Sequence, residues 1–175
     1  MYIKKNNLLI RKALITDAEI LGKWWRDGKI MAHAGFPLGL KITDQEIISD
    51  LAKDTKDNQR LIIEINSLPA GEMSYRRKED NIAEIGIKIC DFNMQNKGFG
   101  QIAIKSLIME LFESYGYQKI ILDTNLENLR AQNVYEKIGF QKVGIRYDCW
   151  KDQLGKFQSA VDYEMTKANY ELLKK

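Results

Sequence analysis

Hydrophobic and polar positions recur along this chain in two different rhythms. Up to about residue 90 the apolar residues fall into strand-length runs: Leu8 to Lys12, Leu61 to Ile65, Ala70 to Arg76 and Ile82 to Ile89. The middle two are joined by Asn66-Ser67-Leu68-Pro69, which reads as a hairpin, and the last two by a polar turn at Lys78 to Asn81. Two capping-box spacings, Thr16 with Glu19 and Thr43 with Glu46, predict helices running through Trp24-Trp25-Arg26 and to near Lys53. Between them Met31 to Gly39 carries loop punctuation and several apolar residues, as a segment that shapes a cleft would.

After residue 90 the rhythm changes. Ile104, Leu107, Ile108, Leu111, Phe112 and Tyr115 recur at helical spacing, so a long amphipathic helix begins at Gly98-Phe99-Gly100. Lys119 to Asp123 is a short buried strand, and Ala131, Val134, Tyr135 and Ile138 mark another helix, with Gly139 at its C-terminus. Strands at Gln141 to Tyr147 and Gln158 to Met165 complete the chain. The prediction is a single α/β domain over residues 1–175, with a mixed, mostly antiparallel sheet of about seven strands flanked by helices.

Composition narrows the function. With 175 residues, 45% hydrophobic and 29% charged, the chain can bury a core without disulfides or metal, and no apolar run is long enough to span a bilayer. The start lacks the apolar core and cleavage site of a secretory signal, which predicts a cytoplasmic protein. Only Cys90, Cys149 and His33 could offer soft metal ligands, and they are scattered, so no metal site is expected. A net charge of +3 without a basic stripe excludes a nucleic-acid surface.

The candidate chemistry starts at Gln95-Asn96-Lys97-Gly98-Phe99-Gly100-Gln101. A glycine turn at the head of a helix offers unpaired N–H groups and a positive helix end to a phosphate. The turn alone fits a dinucleotide, a coenzyme A or a plain helix start. The segment Asp91 to Lys97 intervenes between the strand ending at Ile89 and the first glycine, Gly98, which disfavours a dinucleotide fingerprint, and no Gly-Lys-Ser/Thr follows to make a P-loop. Asn128 and Tyr135 lie two helical turns apart and share one face. In the strand Ile82 to Ile89, Glu84, Gly86 and Lys88 take the face opposite the apolar one, where Glu84 is either a base or an ordinary polar residue.

Gln95-x-x-Gly98-x-Gly100 and Asn128-x-x-Ala131-x-x-Val134-Tyr135-Glu136-Lys137-x-Gly139-Phe140 together resemble the two motifs of the GNAT superfamily of acyl-CoA-dependent N-acetyltransferases. The resemblance is strongest from Ile82 to Val143, with Gln95 standing where arginine is commoner. The segments Trp150 to Lys156 and Asp162 to Met165 look like the ribosomal-protein N-terminal acetyltransferase branch. It implies acetyl-CoA as cosubstrate, its pantetheine arm along the backbone of Lys88, Ile89 and Cys90, its pyrophosphate on the N–H groups from Asn96 through Gln101, and Asn128 on the arm. It implies Tyr135 as the acid that protonates the departing thiolate and Glu84 as the base, with a backbone amide near Ile89 or Cys90 stabilising the oxyanion. It places Trp24, Trp25, His33, Phe36 and Leu38 along an acceptor wall, whereas the residues by themselves read as one tryptophan in the core, its neighbour partly exposed, and His33 on the surface. The acceptor would be a primary amine, either a small molecule or a peptide N-terminus. Dimerisation is common among the proteins it resembles, so a homodimer is among the expectations. The alternative is a non-catalytic acyl-CoA sensor or scaffold subunit.

Overall fold

In the computed structural model, which describes residues 1–174, eight strands form one sheet with helices on both faces. The strands are β1 (Tyr2–Lys5), β2 (Leu8–Lys12), β3 (Asn58–Ile65), β4 (Leu68–Lys78), β5 (Ile82–Ile89), β6 (Lys119–Asn125), β7 (Gln141–Lys151) and β8 (Phe157–Thr166). The helices are α1 (Ala18–Trp25), α2 (Gly28–Met31), α3 (Asp44–Leu51), α4 (Phe99–Glu113), α5 (Leu129–Ile138) and α6 (Lys167–Leu173). Their order across the sheet is β1-β2-β3-β4-β5-β6-β8-β7, and β5 with β6 is the one parallel pair. The strand beyond the expected seven is β1, four residues of which only Ile3 points inward, too short to show a period.

Local chemistry explains most boundaries. Asn66 and Ser67 both take positive φ (53° and 64°), giving the tight two-residue turn between β3 and β4. The Thr43–Glu46 box forms: the Thr43 hydroxyl accepts from the Glu46 N–H at 3.2 Å, and the Glu46 carboxylate accepts from the Thr43 N–H at 2.8 Å. The Thr16–Glu19 box does not form. Asp17 takes its place, accepting the Leu14 N–H at 2.7 Å while Arg11 of β2 grips its carboxylate at 2.7 and 2.8 Å, so α1 is entered through a short 3-10 turn. A bidentate guanidinium on a buried carboxylate outweighs a local cap.

Two cores flank the sheet. On one face Ile104, Leu107, Ile108, Leu111 and Phe112 of α4 pack with Ile63, Ala83, Ile85, Ile120 and Leu122. At roughly 1.5–3 kcal/mol for each fully buried large apolar side chain, this stripe anchors α4 and fixes its N-terminus. On the other face Leu21, Ile47 and Leu51 of α1 and α3 cover Ile62. Both tryptophans belong to this second core, Trp24 at 5% and Trp25 at 8% exposure, which corrects the expectation that one would be partly exposed. Trp25 can be buried because its indole N–H donates to Glu72 at 2.9 Å.

The parallel pair is short. Its register runs from Ile82 opposite Lys119 to Glu84 opposite Ile121 and goes no further, although both strands continue. Beyond that point β5 and β6 diverge and open a wedge in the middle of the sheet.

Candidate functional site

A cleft of about 760 Å³ occupies this wedge. Backbone phase decides what β5 offers to it. The Cys90 N–H donates to the Ala70 carbonyl at 2.8 Å, and Lys88 lies opposite Glu72, so the even-numbered residues of β5 turn their backbone groups toward β4. The odd-numbered residues turn theirs toward β6, where no strand is in register past Glu84. Ile87 and the N–H of Ile89 therefore face the wedge, while the Ile89 carbonyl accepts the Gln95 side-chain amide at 2.9 Å. Of the three strand-end residues named from sequence, only Ile89 presents backbone there. Lys88 lines the cleft but turns its backbone groups to β4, and Cys90 is 2% exposed, its amide already bonded and its thiol pushed up by burial. That thiol is no nucleophile at neutral pH.

The glycine turn forms the floor of the wedge. Gly98 sits at φ +82° as the N-cap of α4, with no side chain capping the helix. A Cβ on Gly98 would meet nothing within 4 Å, so the turn faces open space. The first-turn N–H groups from Phe99 to Gln101 stay unclaimed, since the first bond of the helix runs from the Ile102 N–H to the Gly98 carbonyl. A Cβ on Gly100 would lie 3.7 Å from Ile89, an ordinary contact, so packing within the chain does not require glycine there. Gln95, Asn96, Gly98, Gly100 and Gln101 all line the cleft, whereas Lys97 and Phe99 do not. The cation at the turn is Arg130 of α5, which donates to Gln95 at 2.7 Å and lines the cleft. Sequence reading passed over Arg130 because it sits inside the second motif, 35 residues from the turn it completes.

The opposite wall comes from β6 and α5. Asn128 caps α5, accepting the Ala131 N–H at 3.2 Å and donating to Thr124 at 3.3 Å. Tyr135 stands two turns further, on the same face, and both line the cleft. Its ring is wedged edge-on between Phe140, with centroids at 6.1 Å, and Tyr163 at 5.6 Å, leaving 7% exposure. Burial and the nearby Asp123 charge raise its pKa from 10.0 to about 12.

Glu84 is not brought to this place. It does not line the cleft, and Arg76 and Lys78 hold its carboxylate, Lys78 at 3.0 Å. Burial alone would raise its pKa, but the bonds from Arg76 and Lys78 prevail and leave it below the usual carboxylate value. The parallel register explains the displacement, because Glu84 lies on the last paired row, below the point where the strands part.

The far side of the cleft is roofed by the segment after α2. His33 and Ala34 line the cleft from a short turn, and Trp150 of β7 joins them. Trp150 packs on Gly35, where a Cβ would fall 2.3 Å from the indole. Gln153 fastens the same segment: its N–H donates to the Gly35 carbonyl at 2.8 Å, its side-chain oxygen accepts from the Leu38 N–H at 2.9 Å, and its side-chain amide donates to the Gly39 carbonyl at 3.0 Å. Leu38 is 70% exposed and lies outside the cleft lining, as does Phe36.

Among the described residues no cluster of three or more histidine, cysteine or acidic side chains could hold a metal, and no helix is long and apolar enough to cross a membrane. The cleft has the chemistry for a long anionic ligand: unclaimed amides and Arg130 at one end, free strand backbone in the middle, a phenol beside it.

Comparison with known proteins agrees with that geometry. The sequence profile described as an acetyltransferase (GNAT) domain matches residues 7–141. An uncharacterized N-acetyltransferase, p20, of Bacillus licheniformis is 24% identical over 170 residues, covering 93% of this chain and 94% of that protein. The fold is shared with the spermidine N-acetyltransferase of Vibrio cholerae solved with CoA and spermine, at a TM-score of 0.83, 20% identity and coverage of 95% and 99% of the two chains. It is shared equally with the ribosomal L7/L12 alpha-N-protein acetyltransferase RimL in complex with coenzyme A, at a TM-score of 0.83, 14% identity and coverage of 95% and 98%.

Proposed function

Since the chain belongs to the GNAT acetyltransferase family of acyl-CoA-dependent N-acetyltransferases, we propose that it moves an acetyl group from acetyl-CoA directly to a primary amine, with Tyr135 as the acid. The observation that carries this reading is the convergence, in one wedge, of unclaimed α4 amides, the unpaired Ile87 backbone and Ile89 N–H, and a buried phenol. The Phe99 to Gln101 amides and Arg130 would hold the pyrophosphate; the Ile87 backbone would pair with the pantetheine arm as a strand would. The Ile89 N–H, aimed into the wedge, would also serve the developing oxyanion. A thioester held there supplies an activated acyl group, and the chain's part is to orient it, exclude water and manage two protons.

Direct transfer is favoured over a covalent acetyl-enzyme because the cleft holds no activated nucleophile: Cys90 is buried with its thiol pushed up, and Cys149 does not line it. The relatives of like fold act on spermidine and on a ribosomal protein N-terminus by their names, and both acceptors are primary amines. The acceptor is proposed at that level.

Free-thiol release tests the reading. Incubation with acetyl-CoA and a panel of polyamines, aminoglycosides and N-terminal peptides is expected to give amine-dependent thiol, and binding without release would return the protein to a sensor or scaffold. In the same assay Gly98→Val is expected to weaken acetyl-CoA binding roughly tenfold or more, since a β-branched residue is strained at φ +82° and its side chain enters the open space at the turn. Calorimetric titration with unchanged affinity would remove the turn from the binding site.

A further inference from the structure

We infer that Asp123 receives the acceptor's ammonium group and takes its proton, the role that sequence alone assigned to Glu84; this rests on the acetyl-transfer reading above. Among the described residues lining the cleft, Asp123 is the one carboxylate. It lies on β6 two residues past Ile121, the last residue in register with β5, so it stands where the wedge opens and no β5 residue covers it. Leu122 beside it points into the core, which turns Asp123 to the opposite face, the face that Glu84 also takes on β5.

Its carboxylate is oriented and still available. Arg146 donates to Oδ2 at 2.6 Å, while Oδ1 meets no donor among the described residues. The same guanidinium is shared with Asp162, at 2.8 Å, so two carboxylates face one cation, and of the three only Asp123 lines the cleft. The Asp123 side chain is 55% exposed, which gives a proton a way out to water. Tyr135 shares the cleft and senses the Asp123 charge, so acid and base flank the same space.

The proton balance closes. At pH 7 about one alkyl amine in a thousand is unprotonated, so the ammonium must shed a proton, here through Asp123 to solvent. The freed nitrogen forms the C–N bond at the thioester carbonyl, the C–S bond breaks with its electron pair on sulfur, and the Tyr135 hydroxyl protonates that sulfur. The surplus proton on the new amide nitrogen returns to the tyrosinate, so one proton leaves to solvent per turnover.

The test compares Asp123→Asn with the wild type on two amines: the primary alkyl amine turned over fastest in the panel, and trifluoroethylamine, largely unprotonated at neutral pH. Loss of a general base predicts a fall of roughly 100-fold or more in kcat/KM for the alkyl amine. Loss for trifluoroethylamine is expected to be at least tenfold smaller, with acetyl-CoA affinity within about twofold, which also reports that the variant is folded. An alkyl-amine kcat/KM within threefold of wild type, or equal losses with both amines, overturns the assignment and leaves acetyl transfer standing. A wild-type protein that binds acetyl-CoA yet releases no thiol with any amine overturns both.

Discussion

Tyr135→Phe is expected to lower kcat by roughly 100- to 1,000-fold with little change in acetyl-CoA affinity, the scale of losing a positioned general acid. The variant removes one oxygen from a ring whose packing between Phe140 and Tyr163 is otherwise untouched, so folding and binding serve as internal controls. Charge explains why the phenol suits this task. A raised pKa favours the neutral, proton-bearing form, and with a value of about 12 the hydroxyl stays protonated through the whole range in which the protein is assayed. The alkaline side of the rate profile should therefore show no fall caused by Tyr135 up to pH 10 or so, whereas an unshifted phenol would already be half ionised there. Rapid-quench measurement of the acetylated product in both proteins decides the matter, and an unaltered kcat with a good primary amine would take the acid role away from this residue.

Glu72→Ala is expected to produce the largest loss of stability. Glu72 is 4% exposed on β4, and three donors converge on it: the Trp25 indole at 2.9 Å, Arg60 at 2.8 Å and Lys88 at 3.5 Å. Removing it strands an indole N–H and two cations at the seam of α1, β3 and β5. Breaking a buried pair from one side typically costs about 3–5 kcal/mol. Here the lower end applies, because the Arg60 and Lys88 side chains keep 34% and 25% of their exposure and can recover some hydration. At about 2–4 °C per kcal/mol for a chain of this size, the melting temperature should fall by roughly 10 °C. Glu72→Gln, which retains an acceptor for Trp25, should recover part of it. A calorimetric melt within about 2 °C of the parent for the alanine variant would show that the hub contributes nothing net.

How far the chain could be read without coordinates depended on how local each signal was. The Thr43–Glu46 box, the turn at Asn66, the α4 stripe from Ile104 to Phe112 and the Gly139 terminus are decided within a few residues and appear where the sequence placed them, although Leu68 and Pro69 already belong to β4 and Tyr115 lies past the end of α4. The Thr16–Glu19 box failed because Arg11, on another element, competes for the neighbouring Asp17. Trp25 is buried beside Trp24 because Glu72, 47 residues from Trp25, supplies an acceptor inside the core. Of the candidates named from sequence, Asn128 and Tyr135 line one cleft because seven-residue spacing on a helix translates into a shared face, and Gln95 and Gly98 join them from the turn before α4. Strand alternation gave Glu84 its face but not its height in the sheet. Where β5 and β6 cease to pair is a long-range property, and that row decides which carboxylate reaches the wedge. Arg130 and Gln153 were missed for the same reason, since their partners lie 35 residues away or more.

Gln153 has a consequence for how such a protein can diversify. The roof over the His33 end of the cleft is pinned by three hydrogen bonds to the turn between β7 and β8, together with Trp150 seated on Gly35. The two short segments, 32–39 and 150–153, thus form a matched lock and latch. Exchange of one alone would break the latch, whereas a graft of both together could give the same acetyl-transfer engine a new clientele while Gly98, Asn128 and Tyr135 stay in place.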